Sequence, residues 1–151
     1  MDLTAISALR AVGNNSSVVS IAPLTNTYTD VNDAALLQNT DILGMMGIVS
    51  DNREKLFYPD ETLTRAEFCK MAVIAMGNGK LESQYKNTAI FPDVRASHWA
   101  SGFVAVAAKG PGHFIGGYPD GTFGPELDIN YGEAITVIMR LLGYSDKDSG
   151  A

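Results

Sequence analysis

The chain has 151 residues, is 46% hydrophobic and carries a formal net charge of −6. That length and apolar share bury one modest core, and no apolar run of the ~18 residues needed to span a membrane is present. The acidic balance leaves no basic stripe to neutralise phosphates, which excludes general nucleic-acid binding.

Residues 1–27 form an N-terminal segment in which Ala5, Ala8, Leu9 and Val12 mark one side of a short helix after Thr4. Val18 to Leu24 reads as an extended stretch. The start lacks the basic end and apolar centre of a secretion signal, so the chain is either cytoplasmic or has lost its signal. Met1-Asp2 reads as an added start on a trimmed chain.

A first unit covers residues 28–77. The pattern predicts a helix from Asp33 to about Met46, a turn-rich loop, and a second helix opened by Thr64. Glu67 three residues on makes a capping box, in which both side chains satisfy otherwise orphaned backbone N–H groups. Phe68, Met71, Ala72, Ala75 and Met76 fit one apolar stripe, and Gly77 is a natural stop. Residues 78–90 are a polar linker.

The second unit covers residues 91–145, followed by a tail of residues 146–151. Its first helix is expected from Ser97 to about Lys109, with Trp99, Phe103 and Val106 on the buried side. The loop contains Pro119-Asp120-Gly121, a strong turn signal, and Phe123 or its counterpart Phe57 is expected to plug the loop onto the helices. Asn130 and Glu133 repeat the capping box, Ala134, Val137, Ile138, Leu141 and Leu142 repeat the stripe, and Gly143 repeats the stop.

These parallels hold at fixed spacings. Tyr28-Thr29-Asp30-Val31 faces Phe91-Pro92-Asp93-Val94 at an offset of 63, and Phe57, Leu63 and Glu67 face Phe123, Ile129 and Glu133 at 66. The difference is an insertion, Pro111-Gly112-His113. One supersecondary unit is used twice, which points to a repeat architecture rather than a catalytic domain. Repeat exteriors need capping, so a flank left apolar by two units should be covered by the N-terminal segment or by self-association.

Phe91-Pro-Asp-Val, Ser97-His98-Trp99-Ala100, the loop from Gly117 to Pro125 and Leu63-Thr64-Arg65-Ala66-Glu67 together resemble the S-layer homology domain, over about residues 28–145. The resemblance implies a mainly α fold: tandem helix-loop-helix repeats packed as a pseudo-symmetric helical bundle, usually of three units. It also implies a non-catalytic module, without cofactors, that holds an exported bacterial protein on cell-wall polysaccharide, often pyruvylated. Its place would be the bacterial cell wall or S-layer, with the signal peptide removed. A third repeat or self-association would complete the bundle. The second unit departs from the family at Tyr131-Gly132, where Arg-Ala is expected; the first has Leu36 for the Trp and Arg53-Glu54-Lys55 for the Asp-Gly turn.

The glycan-binding candidates are Arg65, Glu67, Trp99, Tyr118, Asp120 and Gly121. Arg65 stands at a helix start, where a cation is mildly unfavourable, and its planar fork suits a carboxylate or pyruvyl ketal. A solvated Arg or a salt bridge between the units is its alternative reading. Glu67 reads as a cap before a contact, Trp99 as core before a sugar platform, and Asp120 and Gly121 as turn chemistry before ligand groups. Cys69, the single cysteine, reads as a buried inert thiol.

His98 and His113 lack a ligand array for a metal. An EF-hand fails because Gly116 and Tyr118 replace the early acids and Leu127 the bidentate Glu. No Gly-x-Ser-x-Gly elbow or Cys–His–Asn set is present, and nothing fixes a spacing between paired acids. Two rivals remain: an interaction or self-assembly module that has lost glycan binding, and the wall-targeting accessory domain of a larger surface enzyme.

Overall fold

The computed structural model describes residues 28–49, 55–111 and 113–144. The expectations for residues 1–27 and 146–151 lie outside them. The described residues are mainly helical: α1 (Ala34–Met45), α2 (Arg65–Ala75), a 3₁₀ turn (Gly79–Leu81), α3 (Glu82–Tyr85), α4 (Ser101–Lys109) and α5 (Tyr131–Leu141). Thr64 and Asp128 form an isolated antiparallel β-bridge.

Both capping boxes are present. The Thr64 and Asn130 side chains accept from the N–H groups of Glu67 and Glu133, whose carboxylates accept from the cap residues' own N–H groups in return. Asp33 caps α1 by accepting from the Leu36 N–H. Gly77 and Gly143 follow α2 and α5 at φ 73° and 89°, the left-handed region that ends a helix and that only glycine enters without strain.

The core gathers Ala66, Cys69, Ala72 and Val73 of α2, Val104 and Val106 of α4, Phe114 and Phe123 of the second loop, and Val137 of α5. The buried stripe of α2 is therefore only in part the expected one, since Ala72 is buried and Phe68 packs against the core. Ala75 and Met76 are exposed, Phe68 and Met71 half-buried, because the helix turns its small residues Ala66, Cys69 and Ala72 inward, where α4 packs closely. Leu142 is likewise exposed, while Val137 is buried.

A second correction concerns Trp99. α4 begins at Ser101 rather than Ser97, so Trp99 sits in the preceding turn, 49% exposed, instead of on the buried face. The Ser101 hydroxyl, itself buried, explains the delay: it donates to the carbonyls of Lys86 (2.6 Å) and Ala96 (3.2 Å), tying the turn to the linker.

The linker is part of the packing. Leu81 and Tyr85 lie against the core, and α3 runs along α4 where Gly102 leaves room. A Cβ on Gly102 would stand 2.5 Å from the Glu82 carbonyl oxygen.

Candidate functional site

Each loop is held by an aspartate. The Asp30 carboxylate accepts from the N–H groups of Phe57 (2.8 and 3.0 Å) and Tyr58 (2.7 Å), and Asp93 accepts from Phe123 (2.9 and 3.1 Å) and Gly124 (2.7 Å). Partial burial works against ionisation of both aspartates, but the bonds from these N–H groups outweigh it and hold both carboxyls below the usual range. Above each clamp two rings meet, Tyr28 with Phe57 and Phe91 with Phe123, with centroids 5.3 Å apart in both. Sequence reasoning aligned Asp30 with Asp93 without assigning them this work; the signal was the repeat itself.

The two units are locked together by the start of α2. Its first N–H groups, Arg65 and Ala66, donate to the Leu127 (2.9 Å) and Pro125 (3.0 Å) carbonyls of the second loop, and the Ile129 N–H donates back to Leu63 (2.8 Å). The orphan donors of one repeat's helix are thus satisfied by the other repeat.

Arg65 is 4% exposed. Its Nε donates to the Phe123 carbonyl (2.9 Å) and Nη2 to Gly116 (3.2 Å), while Nη1 pairs with Glu133 Oε1 at 3.0 Å. The guanidinium lies over Tyr118 at 4.5 Å and Phe123 at 5.0 Å from the ring centroids, a cation–π contact with each. The Tyr118 hydroxyl donates to the same Glu133 oxygen at 2.9 Å. Burial, then this bond, push the Tyr118 hydroxyl above its ordinary range. Burial opposes ionisation of Glu133, but the Asn130 N–H, Tyr118 and Arg65 hold its carboxyl low. Arg65 thus makes a salt bridge between the two units.

The other candidates divide. Tyr118 joins Arg65 in this junction; Glu67 is exposed and engaged in its cap, accepting from Thr64 N and Oγ1 at 2.9 and 2.8 Å. Asp120 is exposed and accepts from Thr122 N (2.9 Å) and Oγ1 (2.7 Å), closing the turn in which Gly121 takes φ 85°. Trp99 stacks on His98 at 5.8 Å, and His98 Nε2 bonds Glu126 Oε1 at 2.9 Å. Because His98 Nδ1 accepts from the Ala100 N–H, the proton sits on Nε2 as donor. Trp99 is therefore tethered, through His98, to the loop that carries Asp120 and Gly121.

Behind that loop lies an open groove of about 600 Å³ whose lining includes Lys109, His113 and Arg140 beside Gly116 and Gly121. Among the described residues no carboxylate lines it. Three basic groups in one groove of an acidic chain were invisible in sequence, since they come from the end of α4, the insertion and α5. No helix of the described residues is long and apolar enough to cross a membrane.

Two clamped helix-loop-helix units locked by an arginine define a tandem-repeat module. Residues 45–69 and 90–135 match the family model of the S-layer homology domain. The chain belongs to that family. It is 34% identical over 139 residues (87% of the chain) to a "Surface layer protein" of Brevibacillus choshinensis, and 35% over 120 residues (78%) to a "Middle cell wall protein" of Brevibacillus brevis. It is 35% identical over 88 residues (57%) to a "Cellulosome-anchoring protein" of Acetivibrio thermocellus. The chain spans only 12%, 11% and 19% of these relatives' lengths. No solved structure matches the chain.

Proposed function

We propose that the chain is a non-catalytic attachment module that holds an exported bacterial protein on cell-wall polysaccharide. The observation that carries this is its 34% identity, over 87% of its length, to a surface layer protein. The cellulosome-anchoring relative supports attachment as the shared task.

The polymer runs over the second repeat. Trp99 gives an exposed ring for a sugar face, and Tyr118, Asp120 and Gly121 belong to the loop that His98 and Glu126 tether to it. Acidic substituents, a pyruvyl ketal among them, seat in the groove beside Lys109, His113 and Arg140. Arg65 and Glu67 act mainly by holding that loop in place.

The test is co-sedimentation of the chain with purified bacterial walls, before and after the secondary polymer is stripped off. Binding should disappear with the polymer, and Trp99→Ala should weaken it about tenfold or more, as losing one aromatic anchor does. Equal binding to stripped walls overturns the reading.

A further inference from the structure

We propose that Glu126 and His98 are positioning residues for Trp99, holding its indole ready as a platform for one sugar ring of the wall polymer. Both act through the ring rather than on the polymer, and their role presupposes the attachment reading above.

The device stands out when the two repeats are laid on one another. Ser97 corresponds to Ala34, where α1 begins, yet α4 begins only at Ser101. Residues 97–100, which would extend α4 by a turn of helix, instead form separate turns. The His98 N–H donates to the Arg95 carbonyl at 2.9 Å, and the Ser101 N–H to the His98 carbonyl at 3.0 Å. The first repeat carries Ala35, Leu36 and Asp60 where the second has His98, Trp99 and Glu126. The ring, the imidazole that backs it and the longer carboxylate thus go together.

The anchor is fixed from both sides. Glu126 stands between Pro125 and Leu127, whose carbonyls accept from the Ala66 (3.0 Å) and Arg65 (2.9 Å) N–H groups at the start of α2. Its carboxylate accepts from His98 Nε2 at 2.9 Å while His98 Nδ1 accepts from the Ala100 N–H at 3.1 Å, so both nitrogens of the imidazole are engaged. The imidazole in turn leans on the indole, with centroids 5.8 Å apart and planes 30° from parallel. With His98 against one face, Trp99 is still half exposed, which leaves the other face for a sugar.

A free surface side chain changes rotamer in picoseconds to nanoseconds, and immobilising one on binding weakens affinity by about two- to tenfold. A ring already held avoids that loss. The Glu126 side chain is 71% exposed, so its bond to His98 adds little to folding stability and acts on orientation instead.

The sign of one substitution separates positioning from charge. Toward a polymer with acidic substituents, removing a carboxylate by itself strengthens binding; acting through Trp99, Glu126→Ala weakens it. In co-sedimentation with purified walls, Glu126→Ala should bind about two- to tenfold more weakly than the parent. Glu126→Gln, whose amide oxygen still accepts from Nε2, should bind no more weakly than the parent. On a Trp99→Ala background, Glu126→Ala should lose nothing further, because the ring through which it acts is gone. Trp99 is the only tryptophan, so time-resolved fluorescence anisotropy of the free protein reports on this ring alone. The indole of the parent and of Glu126→Gln should turn with the whole molecule. In Glu126→Ala a sub-nanosecond component should appear while the melting temperature stays unchanged.

Parent-like anisotropy in Glu126→Ala overturns the proposal, as does wall binding by that variant at or above the parent's level. Further loss on the Trp99→Ala background overturns it too, since Glu126 would then act on the polymer directly. So does weaker binding matched by a fall in melting temperature, the mark of a merely structural bond. Equal binding of every variant to intact and stripped walls would strike the attachment reading instead, and the anisotropy would still decide whether Glu126 and His98 hold the ring.

Discussion

Tyr58 holds at φ 58° the left-handed backbone that Gly124 holds at φ 68° one repeat later, and both N–H groups donate to the aspartate of their own clamp. Lys55, at φ 53°, likewise stands where the second loop has Gly121 at 85°. The clamp and the Thr29 N–H, which donates to the Lys55 carbonyl at 2.9 Å, impose on side-chain-bearing residues a shape that suits glycine.

Lys55→Gly should therefore stabilise the protein. A left-handed residue with a Cβ costs about 1–2 kcal/mol, and glycine's extra unfolded-state freedom returns about 0.5–1 kcal/mol of that. A net gain of roughly 0.5–1 kcal/mol is expected in urea unfolding. Gly124→Ala should do the reverse by about 1–3 kcal/mol, since its Cβ would lie 2.8 Å from Leu127 Cδ1 and 2.9 Å from Tyr118 Cε2.

Arg65→Ala should lower stability by roughly 3 kcal/mol, discounted because Glu133 keeps 23% of its side chain exposed. At ~3 °C per kcal/mol that is close to 10 °C in the melting temperature. Arg65→Lys should recover only a fraction, because a point charge cannot reach the Phe123 and Gly116 carbonyls and Glu133 together. A calorimetric scan of the three proteins checks the order.

Stability should fall in acid through the two clamps. Both aspartates have folded pKa values below their unfolded ones, so their contribution is complete above the ordinary carboxylate range. It drains as pH drops below ~4 and through the folded values. Asp93→Ala should cost about 1–2 kcal/mol at neutral pH and flatten the acid limb of the unfolding midpoint plotted against pH.

Cys69 should resist alkylation in the native state. It is fully buried, and burial pushes its thiol up to about 12 against a weaker opposing pull from Arg65. Iodoacetamide at pH 8 should label it only as fast as the chain opens, with a jump in rate in denaturant.

The helix starts at Thr64 and Asn130 and the stops at Gly77 and Gly143 were legible in sequence because caps are local: all their partners lie within four residues. The repeat and its fold class were legible for the same reason, twice over. Trp99 was misplaced because its helical spacing to Phe103 carries no information about where Ser101 anchors the turn. The contacts of Arg65 were open in sequence because they are made with Gly116, Phe123 and Glu133, residues far along the chain that only packing brings to one guanidinium. The basic groove escaped for the same cause, since Lys109, His113 and Arg140 come from three separate stretches of the chain.

The insertion Pro111-Gly112-His113 lies between the end of α4 and the second clamp, and the clamp distances differ by no more than 0.1 Å between repeats, 2.8, 3.0 and 2.7 Å against 2.9, 3.1 and 2.7 Å. Chain length can thus change at that point while the scaffold on either side keeps its shape. The same three residues bring His113 to a groove where the first repeat has no equivalent side chain. A short insertion at a tolerant joint thus sets one of two alike scaffolds apart from the other, and the same joint is the natural place to graft a foreign epitope.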